Sequence, residues 1–307
     1  MPESLLFVII IPNYKTMKLL ANNTQFLSSE LRNCTFEEST IVIIPAPLEK
    51  TVSYGHGTSK GPQAILEASY YLELYDEELN CEPFHDGIFT TEMLSNDLTH
   101  QKFLNTLEDQ LSYVIESGKK PVIIGGEHSL TIAPLQAIRR SQNLEFTVLH
   151  FDAHADLRDH YENSRLSHAC VMRRAHEIGV DVVSVGIRAI SQEEVDFISS
   201  ANCSIFFAKE IISNVNLIEH ALSLVKKNVY ITLDIDVFDP SVIHQTGTPE
   251  PGGLTWYQLL TILKRISDLN INVLGFDLVE FAPLEENHSQ RYTCAKLIYK
   301  MMSYYWR

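Results

Sequence analysis

Three short stretches of this 307-residue chain gather side chains able to bind metal ions. Asp152, His154 and Asp156 alternate with alanines, Asp234 and Asp236 repeat the spacing, and His128 follows Gly125-Gly126-Glu127. In extended backbone, residues two apart project to the same side, so each block can present its donors together. Carboxylate oxygens mixed with imidazole nitrogens suit Mn²⁺ or a similar first-row ion better than a soft, thiolate-seeking one. Four carboxylates and two imidazoles are too many for a single catalytic ion that keeps a position open. They suit two ions about 3.5–4 Å apart that share aspartates, as in two-metal hydrolases. The four negative charges balance two divalent cations, and a water between them would ionise near neutral pH, its pKa falling from about 15.7 towards roughly 7. A lone aspartate after a strand is more often a helix cap or a solvated loop end. Two alternating blocks, each at a strand exit, favour the metal. His150 shares the alternation but lies inside an apolar run, and reads as a core histidine with satisfied hydrogen bonds.

The elements that must hold these blocks are legible as short apolar runs alternating with helix-period segments. Strands are expected at 41–45, 122–125, 147–151, 182–186, 205–207, 229–233 and 273–276, and helices at 62–71, 104–117, 130–140, 167–177, 192–199, 217–224, 256–267 and 291–303. The strand runs are continuous rather than alternating, as in strands buried on both faces. Alternating strands and helices predict an α/β fold, a parallel sheet with helices on both sides, whose ligands sit at the carboxyl ends of the strands. Three strands run directly into the blocks above.

The balance of 24 Lys and Arg against 39 Asp and Glu gives a net charge of −15. No basic stripe is available for displacing phosphate counterions, which argues against nucleic acid, while an acidic surface favours a small cationic ligand. Five scattered cysteines without a C-x-x-C pair read as reduced thiols of a cytoplasmic protein. The one membrane-like stretch, Leu5 to Ile11, is too short to span a bilayer and has no basic residue before it, so neither a membrane segment nor a signal peptide is expected. Residues 1–16 are expected to be an extension without function, with Met17 a plausible start, and 17–307 a single domain.

At the metal blocks the chain resembles the ureohydrolases, the arginase and agmatinase family. Matching motifs are Gly125-Gly126-Glu127-His128-Ser129-Leu130, the Asp152–Asp156 block, Asp234-Ile235-Asp236-Val237-Phe238-Asp239-Pro240, Thr246-Gly247-Thr248-Pro249-Glu250-Pro251-Gly252-Gly253-Leu254, and Gly275-Phe276-Asp277-Leu278-Val279-Glu280. Upstream, Tyr54-Gly55-His56-Gly57-Thr58-Ser59-Lys60-Gly61-Pro62 is similar to the family's N-terminal segment. The resemblance implies a three-layer α/β/α, arginase-like fold around a mostly parallel sheet, a homotrimer or homohexamer, and two Mn²⁺ per subunit. One ion would be held by His128, Asp152, Asp156 and Asp234, the other by Asp152, His154, Asp234 and Asp236, so that Asp152 and Asp234 bridge. Glu280 matches the carboxylate that grips the substrate guanidinium, and His168 the histidine that passes a proton to the leaving amine. Cys170, nearby, reads as packing, and His244 has no evident role. The family's arginine-binding members carry Ser-Gly-Asn before the His168 position. This chain has Tyr161-Glu162-Asn163-Ser164-Arg165-Leu166-Ser167, which counts against arginine and makes agmatine, hydrolysed to putrescine and urea, the leading substrate. Glu162 or Glu286 could meet a tail ammonium, whereas Arg165 could meet a carboxylate, as in 4-guanidinobutyrate. N1-aminopropylagmatine remains open, as does a non-catalytic metal-binding relative.

Overall fold

Strands that are apolar at consecutive positions can bury both faces, and among the described residues eight of them form one sheet. They are β1 (Ile41–Ala46), β2 (Ile88–Thr90), β3 (Lys120–Gly125), β4 (Thr147–Phe151), β5 (Asp181–Ile187), β6 (Ser204–Phe207), β7 (Asn228–Asp234) and β8 (Asn272–Val279). Their spatial order is β2-β1-β3-β8-β7-β4-β5-β6, and these strands all pair in parallel. The computed structural model describes residues 19–27, 34–142, 144–201, 203–214, 216–284 and 287–306. The expected N-terminal extension and Glu286 lie outside them.

Period-two geometry sends alternate strand residues to opposite sides. Ile41 and Ile43 of β1 therefore join one apolar cluster while Val42 and Ile44 join the other. In β7, Val229, Ile231 and Leu233 face the first cluster and Tyr230 the second. The first cluster is closed by α1 (Gly61–Ser69), α6 (Ala208–Ser213), α7 (Asn216–Ser223), α8 (Trp256–Asp268) and α9 (Ser289–Tyr305). The second is closed by α2 (His100–Glu116), α3 (Ile132–Ser141), α4 (Val171–Glu177) and the apolar side of α5 (Gln192–Ala201). The result is the three-layer architecture expected. Each fully buried Leu, Ile or Phe contributes roughly 1.5–3 kcal/mol.

Local chemistry sets several boundaries. Pro62 occupies the opening turn of α1, where a missing N–H is harmless. Thr255 and Gln258 cap α8 reciprocally, side chain to backbone in both directions. The expected helices at 130–140 and 167–177 begin instead as single tight 3₁₀ turns, His128–Thr131 and His168–Cys170, before α3 and α4. Strand β2 and helix α6 escape sequence reading because three and six residues are too few to show a period. Among the described residues no helix is long and apolar enough to cross a membrane.

From β3 the chain passes to β4 across two strand positions that β8 and β7 later fill. This reversal of strand order opens a crevice at the carboxyl ends of β3, β8, β7 and β4.

Candidate metal centre

All eight singled-out residues except His168 leave from those four strands. His128 follows β3, Asp152, His154 and Asp156 follow β4, Asp234 ends β7 with Asp236 just beyond, and Glu280 follows β8. Because the strands are parallel neighbours, segments far apart in sequence open into one crevice.

The side chains form two groups. In the first, His128 Nδ1 lies 3.1 Å from Asp152 Oδ2, 3.1 Å from Asp156 Oδ2 and 3.4 Å from Asp234 Oδ2. In the second, His154 Nδ1 lies 3.0 Å from Asp236 Oδ2 and 3.5 Å from Asp152 Oδ1. Asp152 thus gives one oxygen to each group. Asp234 faces the first group through Oδ2, while its Oδ1 lies towards the second-group residue Asp236, accepting its backbone N–H at 2.9 Å. His128 Nδ1 is buried and lacks a hydrogen-bond partner. A lone-pair nitrogen facing three carboxylates is a donor set short of a cation, and it fits a metal ion.

The titration of the cluster has the same cause. Burial lowers His154, but Asp236 and Asp152 overcome it and push the imidazole up to about 12. His128 is likewise raised against burial by Asp152, Asp156 and Asp234. Burial raises Asp234 and Asp236, and neighbouring carboxylates add to it. Asp152 is lowered despite its burial, chiefly by His150 and His128. Uncompensated negative charge is drawing protons to places where cations would sit.

Groups behind the donors orient them. Asp277 accepts the Thr232 hydroxyl at 2.6 Å, Tyr230 at 2.8 Å and Thr131 at 2.9 Å. With its proton given to Asp277, Thr232 Oγ1 can only accept from His128 Nε2, 2.9 Å away. That fixes the proton on Nε2 and leaves Nδ1 free for a metal. His150 is a satisfied core histidine, as expected, with Nδ1 at 3.0 Å from Ser184 Oγ. Its other nitrogen reaches Asp152 Oδ2 at 2.8 Å, so it also holds a cluster carboxylate. The sequence offered Asp277 and Thr232 no distinguishing signal beyond the motif containing the former.

Asp156 and Glu280 take the left-handed backbone conformation, φ 53° and 65°. For non-glycine residues this costs on the order of 1–3 kcal/mol and persists only where surroundings enforce it. Here Asp156 O accepts the N–H groups of Met172 and Arg173, and Glu280 N donates to Gly126 O at 2.8 Å. Gly126 is required for close approach, since a Cβ there would stand 2.0 Å from Leu48 O. Glu280 Oε1 accepts the His128 backbone N–H at 2.6 Å, beside the first group. Its burial raises the carboxyl to about 8.

His168 arrives on another element. Its 3₁₀ turn packs against the turn carrying His128, and its Nδ1 lies 3.3 Å from Thr51 Oγ1. The remaining expectations divide. Arg165, exposed, pairs with Glu177 at 2.6 Å and Asp159 at 3.4 Å. Glu162 is exposed, on the turn closed by Tyr161 and Ser164. Cys170 is buried packing, its thiol pushed up to about 11 by burial. His244 caps onto Gln290.

Residues 39–303 match the model of the arginase family. The chain belongs to the arginase family. Among its relatives in that family, the N(1)-aminopropylagmatine ureohydrolase of Synechocystis sp. is 41% identical over 94% of this chain and 96% of its own length. The agmatinase of Pyrococcus horikoshii is 32% identical over 88% of this chain and 93% of its own length. The crystal structure of agmatine ureohydrolase of Thermoplasma volcanium superposes with a TM-score of 0.81 at 28% identity, covering 94% of this chain and 95% of that one. This arginase-family chain is therefore a hydrolase of the ureohydrolase type, with a His/Asp cluster able to hold metal.

Proposed function

We propose that the chain is a binuclear manganese hydrolase releasing urea from a guanidino compound with a cationic tail, agmatine being the simplest. The observation that carries the proposal is His128 Nδ1, buried, unpartnered and 3.1–3.4 Å from three carboxylates. His128, Asp152, Asp156 and Asp234 would hold one ion, and Asp152, His154, Asp234 and Asp236 the other. Two such ions, when bound, supply Lewis acidity and lower the pKa of water to near neutrality. Oxygen and imidazole donors suit Mn²⁺ or a similar first-row ion better than a soft, thiolate-seeking one.

The chain's own residues do the rest. Glu280 receives the planar guanidinium, a charge-assisted two-point contact that fixes orientation beside the cluster. His168 donates a proton to the leaving nitrogen, without which an amine is expelled poorly. The buried walls of the cluster keep bulk water from screening these charges.

For the tail, Arg165 being committed to Glu177 argues against a carboxylate, and exposed Glu162 offers an ammonium partner. N1-aminopropylagmatine is the second reading, favoured by the 41% identity to the Synechocystis enzyme against 32% to the Pyrococcus agmatinase. Both substrates share the guanidinobutyl unit. A homotrimer or homohexamer belongs to the same proposal and is checked by light scattering.

Urea release by purified, Mn²⁺-loaded protein tests it, with agmatine, N1-aminopropylagmatine, arginine and 4-guanidinobutyrate supplied separately. One of the first two should give the highest kcat/KM. Normal metal binding with no urea from any of them would make this a non-catalytic metal-binding protein.

A further inference from the structure

Outside the metal cluster, one buried carboxylate is fully used yet has no assigned part in the reaction. Glu127 is completely buried. Its Oε2 accepts the N–H groups of Lys50 at 2.5 Å and Thr51 at 2.6 Å, and its Oε1 accepts the hydroxyls of Ser129 at 2.5 Å and Thr51 at 2.8 Å. Four donors on two oxygens match the acceptor capacity of an ionised carboxylate. The single hydroxyl proton of Thr51 is therefore committed to Glu127.

What remains on Thr51 Oγ1 is acceptor capacity, and its other hydrogen-bonding neighbours among the described residues belong to His168. The His168 backbone N–H donates to it at 3.0 Å, and His168 Nδ1 stands 3.3 Å away. An oxygen lone pair facing a nitrogen lone pair is repulsive, so Nδ1 must carry the proton. Ser167 Oγ also lies 3.4 Å from this nitrogen and could favour the opposite tautomer by donating.

We propose that Thr51, anchored by Glu127, is the positioning residue of His168: it holds Nδ1 protonated and leaves Nε2 as the nitrogen that carries and delivers the catalytic proton. The inference rests on the ureohydrolase reading, in which the C–N bond breaks with its electron pair going to the leaving nitrogen and that nitrogen takes the Nε2 proton. It also gives the segment after β1 a role in the reaction, although that segment supplies no metal ligand.

A double-mutant cycle on the full, Mn²⁺-loaded chain tests it by urea release. Thr51→Val removes the hydroxyl at nearly constant shape and should lower kcat at least about tenfold, a part of what an oriented proton donor supplies. KM and metal content should stay within about twofold, as the general-acid step alone is affected. Thr51→Ser should restore most of the loss, and Ser167→Ala should cost little. In a His168→Ala background, Thr51→Val should cost nothing further. If Thr51→Val does not fold, Thr51→Ala replaces it in the same cycle. A loss from Thr51→Val that is undiminished without His168, or no loss at all, overturns the inference and leaves the proposed activity standing. Wild type and His168→Ala turning over equally would remove His168 from the reaction, and wild type releasing no urea would overturn the proposed activity itself.

Discussion

Asp152 divides its two oxygens between two histidines, Oδ2 to His128 and Oδ1 to His154. A neutral amide of the same shape loses a charge from both ion positions together. Asp152→Asn should abolish turnover, at least about 100-fold, with metal content per subunit falling in parallel. Near-native turnover with two ions bound would disprove the bridge. Glu280 should behave differently, because it touches the first group through the His128 backbone N–H and not through a donor atom. Glu280→Gln should retain its metal and lose about 10–100-fold in kcat/KM for guanidines, the worth of a hydrogen bond to a charged group. Metal analysis beside kinetics separates the two cases.

Elements decide which tautomer each histidine presents. On neighbouring strands, Thr232 of β7 stands in register with Asp277 of β8, and their hydrogen bond turns the Thr232 oxygen into a pure acceptor for His128 Nε2. Thr232→Val breaks that chain while keeping the shape of the side chain. Metal affinity should fall about 10–100-fold, measured by chelator competition, with secondary structure unchanged by circular dichroism. The strands themselves were readable because apolar runs buried on both faces leave no polar alternation. Short pieces such as β2 and α6 were not, since their place comes from pairing with β1 and packing on the sheet.

At the scale of the molecule, the C-terminal helix is pinned by an ion network centred on the buried pair Lys300 and Asp76. Lys300 Nζ lies 2.9 Å from Asp76 Oδ1 and 3.1 Å from Glu78 Oε2, and Glu78 also binds Lys264 and Tyr304. Removing the cation leaves Asp76 buried without its partner. Lys300→Met should therefore cost about 3–5 kcal/mol, seen as a lower urea midpoint. Burial opposes the charge of Glu78, yet the bonds from Lys264, Tyr304 and Lys300 hold it at about 2 against an ordinary 4.5. An acid lowered in the folded state stabilises above its unfolded pKa, and the benefit fades as pH falls towards the folded one. The difference in Tm between wild type and Glu78→Gln should be full at pH 7 and should shrink as pH drops from 4.5 towards about 2.

The sequence by itself determined the donor types, their alternation, their place at strand exits and the family motifs that name Glu280 and His168. Those are local properties, written in neighbouring residues and in the period of burial. Only the tertiary structure decided that Asp152 faces both His128 and His154, that Thr232 meets His128 Nε2, and that Arg165 pairs with Glu177 and Asp159. Thr51 meets His168 across 117 positions, and Thr232 meets His128 across 104. A hydrogen bond of that span has no signature in either residue's own neighbourhood, because the order of strands in the sheet, not the order along the chain, sets which side chains meet.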